Sequence, residues 1–183
     1  MFYENRWLHN TTSKVPKEYY KIPIGKCNFI KKGKFLTIVT HSFMVIECLK
    51  CVNYFSKFNI DIELIDIRTI RPLDTASILK SVKKTKKLLV VDTDWIHFSF
   101  SSEIISLVTE KLFDVMESSP KRIGLEDVPS PSSSGLAKYF YPTSYEIAKQ
   151  INKIIGKKVN LSKLKPNKNT KFDIPDKDFN GPF

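Results

Sequence analysis

Ile65-Asp66-Ile67-Arg68-Thr69-Ile70-Arg71-Pro72-Leu73-Asp74 is the stretch on which the fold turns. It reads as a buried strand that ends in a polar turn carrying two arginines and a proline. Asp74 then stands where a helix N-cap would stand. Two arginines at a strand end are costly to bury unless carboxylates or backbone oxygens receive them. Their expected role is to bind another part of the protein, a partner subunit or an anionic ligand. Glu47, Glu63, Glu103, Asp92 and Asp94 are the carboxylates expected to receive Arg68 and Arg71.

Outward from this stretch the pattern stays regular. A helix is expected from Asp74 to about Thr85, with Ile78, Leu79 and Val82 on one face, and Lys87–Asp92 reads as the next strand. Ser101 or Ser102 starts a helix to about Met116, and Arg122–Leu125 forms a short strand. Upstream, Phe35–Thr40 reads as a strand and Ser42 as the N-cap of a helix over Phe43–Phe58, and Ile60–Ile67 is the strand that ends in the arginine turn. Pro129–Gly135 reads as a loop. Thr143 or Ser144 caps a last helix to Ile155, with Gly156 as its C-cap. The order β-α-β-α-β-α-β-α indicates an α/β fold of three layers, α/β/α, around a mostly parallel sheet. Residues 1–34 are an aromatic arm without regular pattern, 35–157 the domain, and 158–183 a basic tail. The tail's Phe172, Ile174, Phe179, Pro182 and Phe183 suggest docking.

Composition narrows the function classes. The 183 residues suffice for one domain with a real core. No apolar run approaches the ~18 residues that span a bilayer. The first ten residues lack the basic and apolar regions of a secretory signal, so a cytoplasmic location is the expectation. The net charge of +11 comes mostly from dispersed lysines with few interleaved aromatics, a solvated surface and not a nucleic-acid site. Cys48 and Cys51 form a C-x-x-C inside an apolar helical pattern, where two small core residues are expected and not a redox or zinc pair. Neither G-x-G-x-x-G nor G-x-x-x-x-G-K-[ST] occurs, and the turns after the first three strands contain no glycine to cradle a phosphate. His9, His41 and His97 lack metal spacing, and Ser42 lacks a nucleophile-elbow context.

Several segments together resemble one family. The Asp66–Asp74 string, Ser81-Val82-Lys83-Lys84-Thr85, Val90-Val91-Asp92 and Ser102-Glu103-Ile104 resemble the C-terminal domain of transketolase-like enzymes. The likeness is closest to the beta subunit of the 2-oxoacid dehydrogenase E1 component. Glu4–Leu8 with Pro23–Lys26, Asp127–Pro131 and the ending Asp173-Ile174-Pro175 look similar to the family's linker, loop and tail. The segment 94–101 departs from it in lacking glycines.

The resemblance implies a division of labour. Thiamine diphosphate and Mg²⁺ lie between a pyrimidine-binding domain, expected before residue 1, and an alpha partner. This chain then binds no cofactor alone, has no catalytic or metal-binding residue, and works as an assembly and docking domain. The implied partners are a pyrimidine-binding domain or subunit, an E1-alpha-like subunit and the acyltransferase core, with neither nucleic acid nor membrane. The strand-end network expected to hold neighbouring domains is Arg68, Arg71, Asp74, His41 and Glu103. Two alternatives stand beside this reading: half of a split transketolase-type sugar enzyme, and a stand-alone module binding an anion through His41, Arg68, Arg71 and His97.

Overall fold

The computed structural model describes residues 1–9, 11–12, 14–167 and 170, so the apolar residues singled out in the tail, Phe172 to Phe183, lie outside them. The strands are β1 (Asn28–Lys31), β2 (Leu36–Thr40), β3 (Ile62–Asp66), β4 (Leu88–Trp95) and β5 (Lys121–Leu125). The helices are α1 (Met44–Ser56), α2 (Thr75–Thr85), α3 (Phe100–Leu112), α4 (Ser134–Phe140) and α5 (Ser144–Ile155). One sheet in the order β1-β3-β2-β4-β5 runs through the centre. β2 pairs in parallel with β3 and β4, β4 pairs in parallel with β5, and β1 lies antiparallel on the outer edge of β3.

Alternation along the strands sends side chains to two different cores. Leu36 and Ile38 of β2, Ile62 and Leu64 of β3, and Leu89 and Val91 of β4 meet α1 and α5. Their neighbours Val39, Leu88 and Val90 meet α2 and α3 on the opposite face. α5 presents Ile147, Ala148, Ile151 and Ile154 to the first core, a spacing that keeps one stripe facing the sheet. A full capping box of Thr143 and Glu146 starts α5, and Gly156 ends it in the left-handed region.

A polar ladder runs through the α2 face. The Thr37 hydroxyl lies 2.7 Å from both the Ser81 and the Thr85 hydroxyl. Ser81 and Lys84 both donate to the Glu63 carboxylate, and Gly33 N–H donates to it at 3.2 Å. Burial raises the Glu63 carboxyl, but these donors outweigh it and hold the group below its ordinary value. Gly33 is required here: a Cβ would come within 2.3 Å of the Glu63 amide nitrogen.

Several local expectations are corrected. Residues 1–34 are not all without regular pattern: they contain β1 and a 3-10 turn, Arg6–Leu8. Trp7 in that turn packs on Phe43 and Tyr141, with ring centroids 4.9 and 5.4 Å away. Ser42 does not cap α1; it sits at φ 57°, and the helix starts behind Phe43 without a side-chain cap. α3 starts at Phe100 with Ser99 as its cap residue, ahead of the expected Ser101 or Ser102. The loop after Pro129 ends early, because α4 begins at Ser134.

Candidate functional site at the strand ends

The carboxyl ends of β2 and β4 are adjacent, yet β2 leads to α1 on one face and β4 leads towards α3 on the other. Such a switch point opens the crevice where open α/β sheets bind ligands. Here side chains bridge it. His41 follows β2, and its Nε2 lies 3.5 Å from Asp92 Oδ1 of β4. The imidazole also packs edge-on against Phe100, with centroids 4.6 Å apart. Asp92 is fully buried and accepts from Thr93 N–H at 2.8 Å, Asp94 N–H at 3.2 Å and Ser101 N–H at 3.2 Å. The last bond holds a negative charge against the start of α3, where the helix dipole favours it.

Thr93 Oγ1 also lies 3.4 Å from His41 Nε2. Both neighbours therefore meet the same ring nitrogen. A relay needs the acid on one nitrogen and the nucleophile on the other, so this trio is not a catalytic triad. Among the described residues there is also no group of three His, Cys, Asp or Glu side chains placed to hold a metal.

The arginine turn follows β3. Arg68, at φ 53°, folds back on Asp66: its N–H donates at 3.2 Å and its Nε lies 3.8 Å from the other oxygen. Burial raises the Asp66 carboxyl, and the Arg68 amide and charge only partly offset it. The Arg71–Pro72 peptide is cis. Asp74 caps α2 as expected, accepting from Ser77 N–H at 3.3 Å and Ser77 Oγ–H at 2.9 Å. It also accepts from Cys27 N–H at 3.1 Å. Burial opposes ionisation of Asp74, but the Cys27 and Ser77 donors win and lower its pKa. Gly25 N–H donates to Thr69 Oγ1 at 3.1 Å, and at φ 74° a Cβ there would sit 2.8 Å from Pro72 Cγ. Two amides of the segment 25–27 are thus tied to the turn.

Neither of two cavities at the strand ends is bordered by all five expected network residues. A cavity of about 590 Å³ is bordered by Arg68, Asp66 and the arm residues Phe2 to Asn5. A second, of about 900 Å³, is bordered by Arg71, Glu103, Asp92 and Phe98. His41 alone of the five borders both, and Asp74 borders neither. None of the five proposed acceptors pairs with either arginine. Glu63 takes Lys84, Glu47 takes Lys50 and Ser144 N–H, and Asp92 takes His41. Among the described residues Arg71 has no ion pair. Asp66 is the acceptor that sequence reasoning passed over, although it stands two residues before Arg68 and such Asx turns are a local signal. Neither of these two cavities is bordered by His41, Arg68, Arg71 and His97 together.

Comparison with known proteins bears on the family and the fold. Residues 25–147 match the family described as transketolase, C-terminal domain. A pyruvate dehydrogenase E1 component subunit beta of Rickettsia felis is 34% identical over 154 residues, covering 84% of this chain and 47% of that protein. The subunit of the same name from Acholeplasma laidlawii is 39% identical over 140 residues, covering 76% and 42%. The chain thus spans about half the length of the curated relatives it matches. A solved structure described as a split gene transketolase, inactive beta4 tetramer, shares the fold with a TM-score of 0.65 at 19% identity, covering 80% of this chain and 48% of that one. The arginine-turn sheet and the sequence match lead to one conclusion: this chain belongs to the transketolase C-terminal domain family.

Proposed function

We propose that the chain is the assembly and docking domain of an E1-beta-like subunit of a thiamine-diphosphate-dependent 2-oxoacid dehydrogenase. The parent reaction is oxidative decarboxylation of a 2-oxoacid with acyl transfer to a lipoyl group. Thiamine diphosphate supplies the carbanion chemistry of that reaction. The residues of this chain do not fit that group: the turns after β2, β3 and β4 lack glycines, and no metal-holding cluster exists among the described residues.

One observation carries the reading. At the strand ends Asp66, Asp74 and Asp92 spend their carboxylates inside the domain, while Arg71, Glu103, Ile70 and Phe98 face outward. That combination of an unpaired arginine, an acid and exposed apolar side chains suits a protein neighbour better than a small substrate. The fitting neighbours are a pyrimidine-binding domain or subunit, an E1-alpha-like subunit and the acyltransferase core. In this proposal residues 1–34 lead in from the pyrimidine-binding side and 158–183 form the docking tail.

Native mass spectrometry of the chain purified from its own cells tests this. A complex with a pyrimidine-domain polypeptide and an alpha-like partner is expected, and Arg71→Glu should deplete it. A lone species of 21.2 kDa would overturn the proposal. Calorimetry on the isolated chain should show no thiamine diphosphate binding; micromolar binding would overturn the placement of the cofactor.

A further inference from the structure

The opposite edge of the sheet has a different character. The loops that precede β2, β3 and β4 meet there, together with the end of α5. Lys34 and Phe35 N–H groups both donate to the Asp61 carbonyl, at 2.8 and 3.1 Å, which joins the loop before β2 to the loop before β3. Phe58 of that second loop packs at a tilt against Tyr54, centroids 5.4 Å apart. The Tyr54 hydroxyl donates at 2.5 Å to the Asn160 carbonyl, beyond α5. Lys157 closes the circle, its Nζ 5.0 Å from the centre of the Phe35 ring. Three segments distant in sequence, 34–35, 54–61 and 157–160, thus form one continuous patch.

The patch presents Lys34, Lys57, Lys157 and Lys158 around two exposed rings, Phe35 at 39% and Phe58 at 45%. Asp61 is the carboxylate within it. Among the described residues the ion pairs of this edge belong to Lys84, Lys86 and Lys87, and the four patch lysines have none. Exposed phenyl rings inside a ring of unneutralised ammonium groups are a surface with two complementary demands, negative charge and apolar contact.

We propose that this patch is a docking site for an acidic protein segment that carries aromatic or aliphatic side chains. It goes beyond the strand-end role proposed above and does not rest on it. Nucleic acid fits less well. The patch has lysines and no arginine fork for phosphates.

The test is fluorescence anisotropy of the whole 183-residue chain with a labelled synthetic peptide alternating glutamate with phenylalanine. Saturable binding is expected. The double variant Lys34→Glu/Lys157→Glu should weaken it about tenfold or more, and Phe58→Ser about fivefold. Lys138→Glu/Lys149→Glu changes the net charge equally but lies in α4 and in the first half of α5, away from this edge, and should leave binding within about twofold. Circular dichroism melting of each variant confirms that it folds. Equal loss in both double variants would overturn the proposal, since the attraction would be that of net charge alone. So would equal affinity for a polyglutamate peptide of the same charge, which would leave the rings without a role. Tighter binding to a single-stranded oligonucleotide or to anionic vesicles would also overturn it, as would peptide binding that appears only after residues 171–183 are removed.

Discussion

The two faces of the sheet are held in different ways. Towards α1 and α5 the contacts are mainly apolar, built on Phe55, Met44, Leu36 and Ile38, with Cys48 and Cys51 filling small gaps and polar contacts to Ser144 at the start of α5. Towards α2 and α3 the apolar cluster is smaller, and a buried carboxylate, three hydroxyls and a lysine run beside it. The first face depends on volume and tolerates similar shapes; the second depends on every donor finding its acceptor. A parallel strand at the middle of a sheet need not be a plain hydrophobic run, as Glu63 of β3 shows.

Four measurements break or sharpen this contrast. Phe55→Ala, in the apolar face, should cost about 3–5 kcal/mol in urea unfolding, because a fully buried ring leaves a cavity. Glu63→Ala should cost about 2–3 kcal/mol, less than a wholly buried pair, since Lys84 is half exposed and regains water. If Glu63→Ala proves the larger loss, the ranking of the faces is wrong. Its sign with pH is also fixed. The folded Glu63 pKa is depressed, so its stabilisation is present above the unfolded carboxylate value and fades as pH falls through the folded one. The wild-type minus Glu63→Ala difference should therefore shrink on acidification. Asp66, raised by burial, acts in the opposite sense and is unchanged in both proteins.

Thr143→Ala removes the capping box of α5 and should cost about 1 kcal/mol, read by the same unfolding curves. The smallest effect concerns the thiols. Burial pushes Cys48 and Cys51 far above the ordinary range and Cys27 up to about 12. A thiol reagent at neutral pH should leave all three largely unmodified in the native chain and label them after unfolding. Rapid native labelling of Cys51 would mean that α1 leaves the sheet.

The apolar face was legible because its periodicity is undisturbed: Met44 to Phe55 and Ile147 to Ile154 repeat at helical spacing. The central strands, the Asp74 cap and the Gly156 stop followed from the same kind of local signal. β1 was not legible, because four edge residues ending in lysine, with only half-buried side chains, carry no burial signal. α4 begins Ser-Gly, a pair of weak helix formers, and it is held by burying Ala137 and Phe140. At the strand ends the residues were found but not their pairings. Arg68 turns back to Asp66 because a positive φ brings them together, and residue types do not announce backbone conformation. His41 meeting Asp92 depends on β2 and β4 being neighbours, a matter of strand order.

Gly25 gives the arginine turn an unusual mechanical situation. Its bare α-carbon is wedged against Pro72, its amide is hooked to Thr69, and Cys27 is hooked to Asp74 two residues on. The chain on its way into the domain is therefore riveted to the outward-facing surface instead of passing it loosely. A tug or twist on the residues before Gly25 pulls directly on Thr69 and Asp74, the two ends of the stretch that carries Ile70 and Arg71.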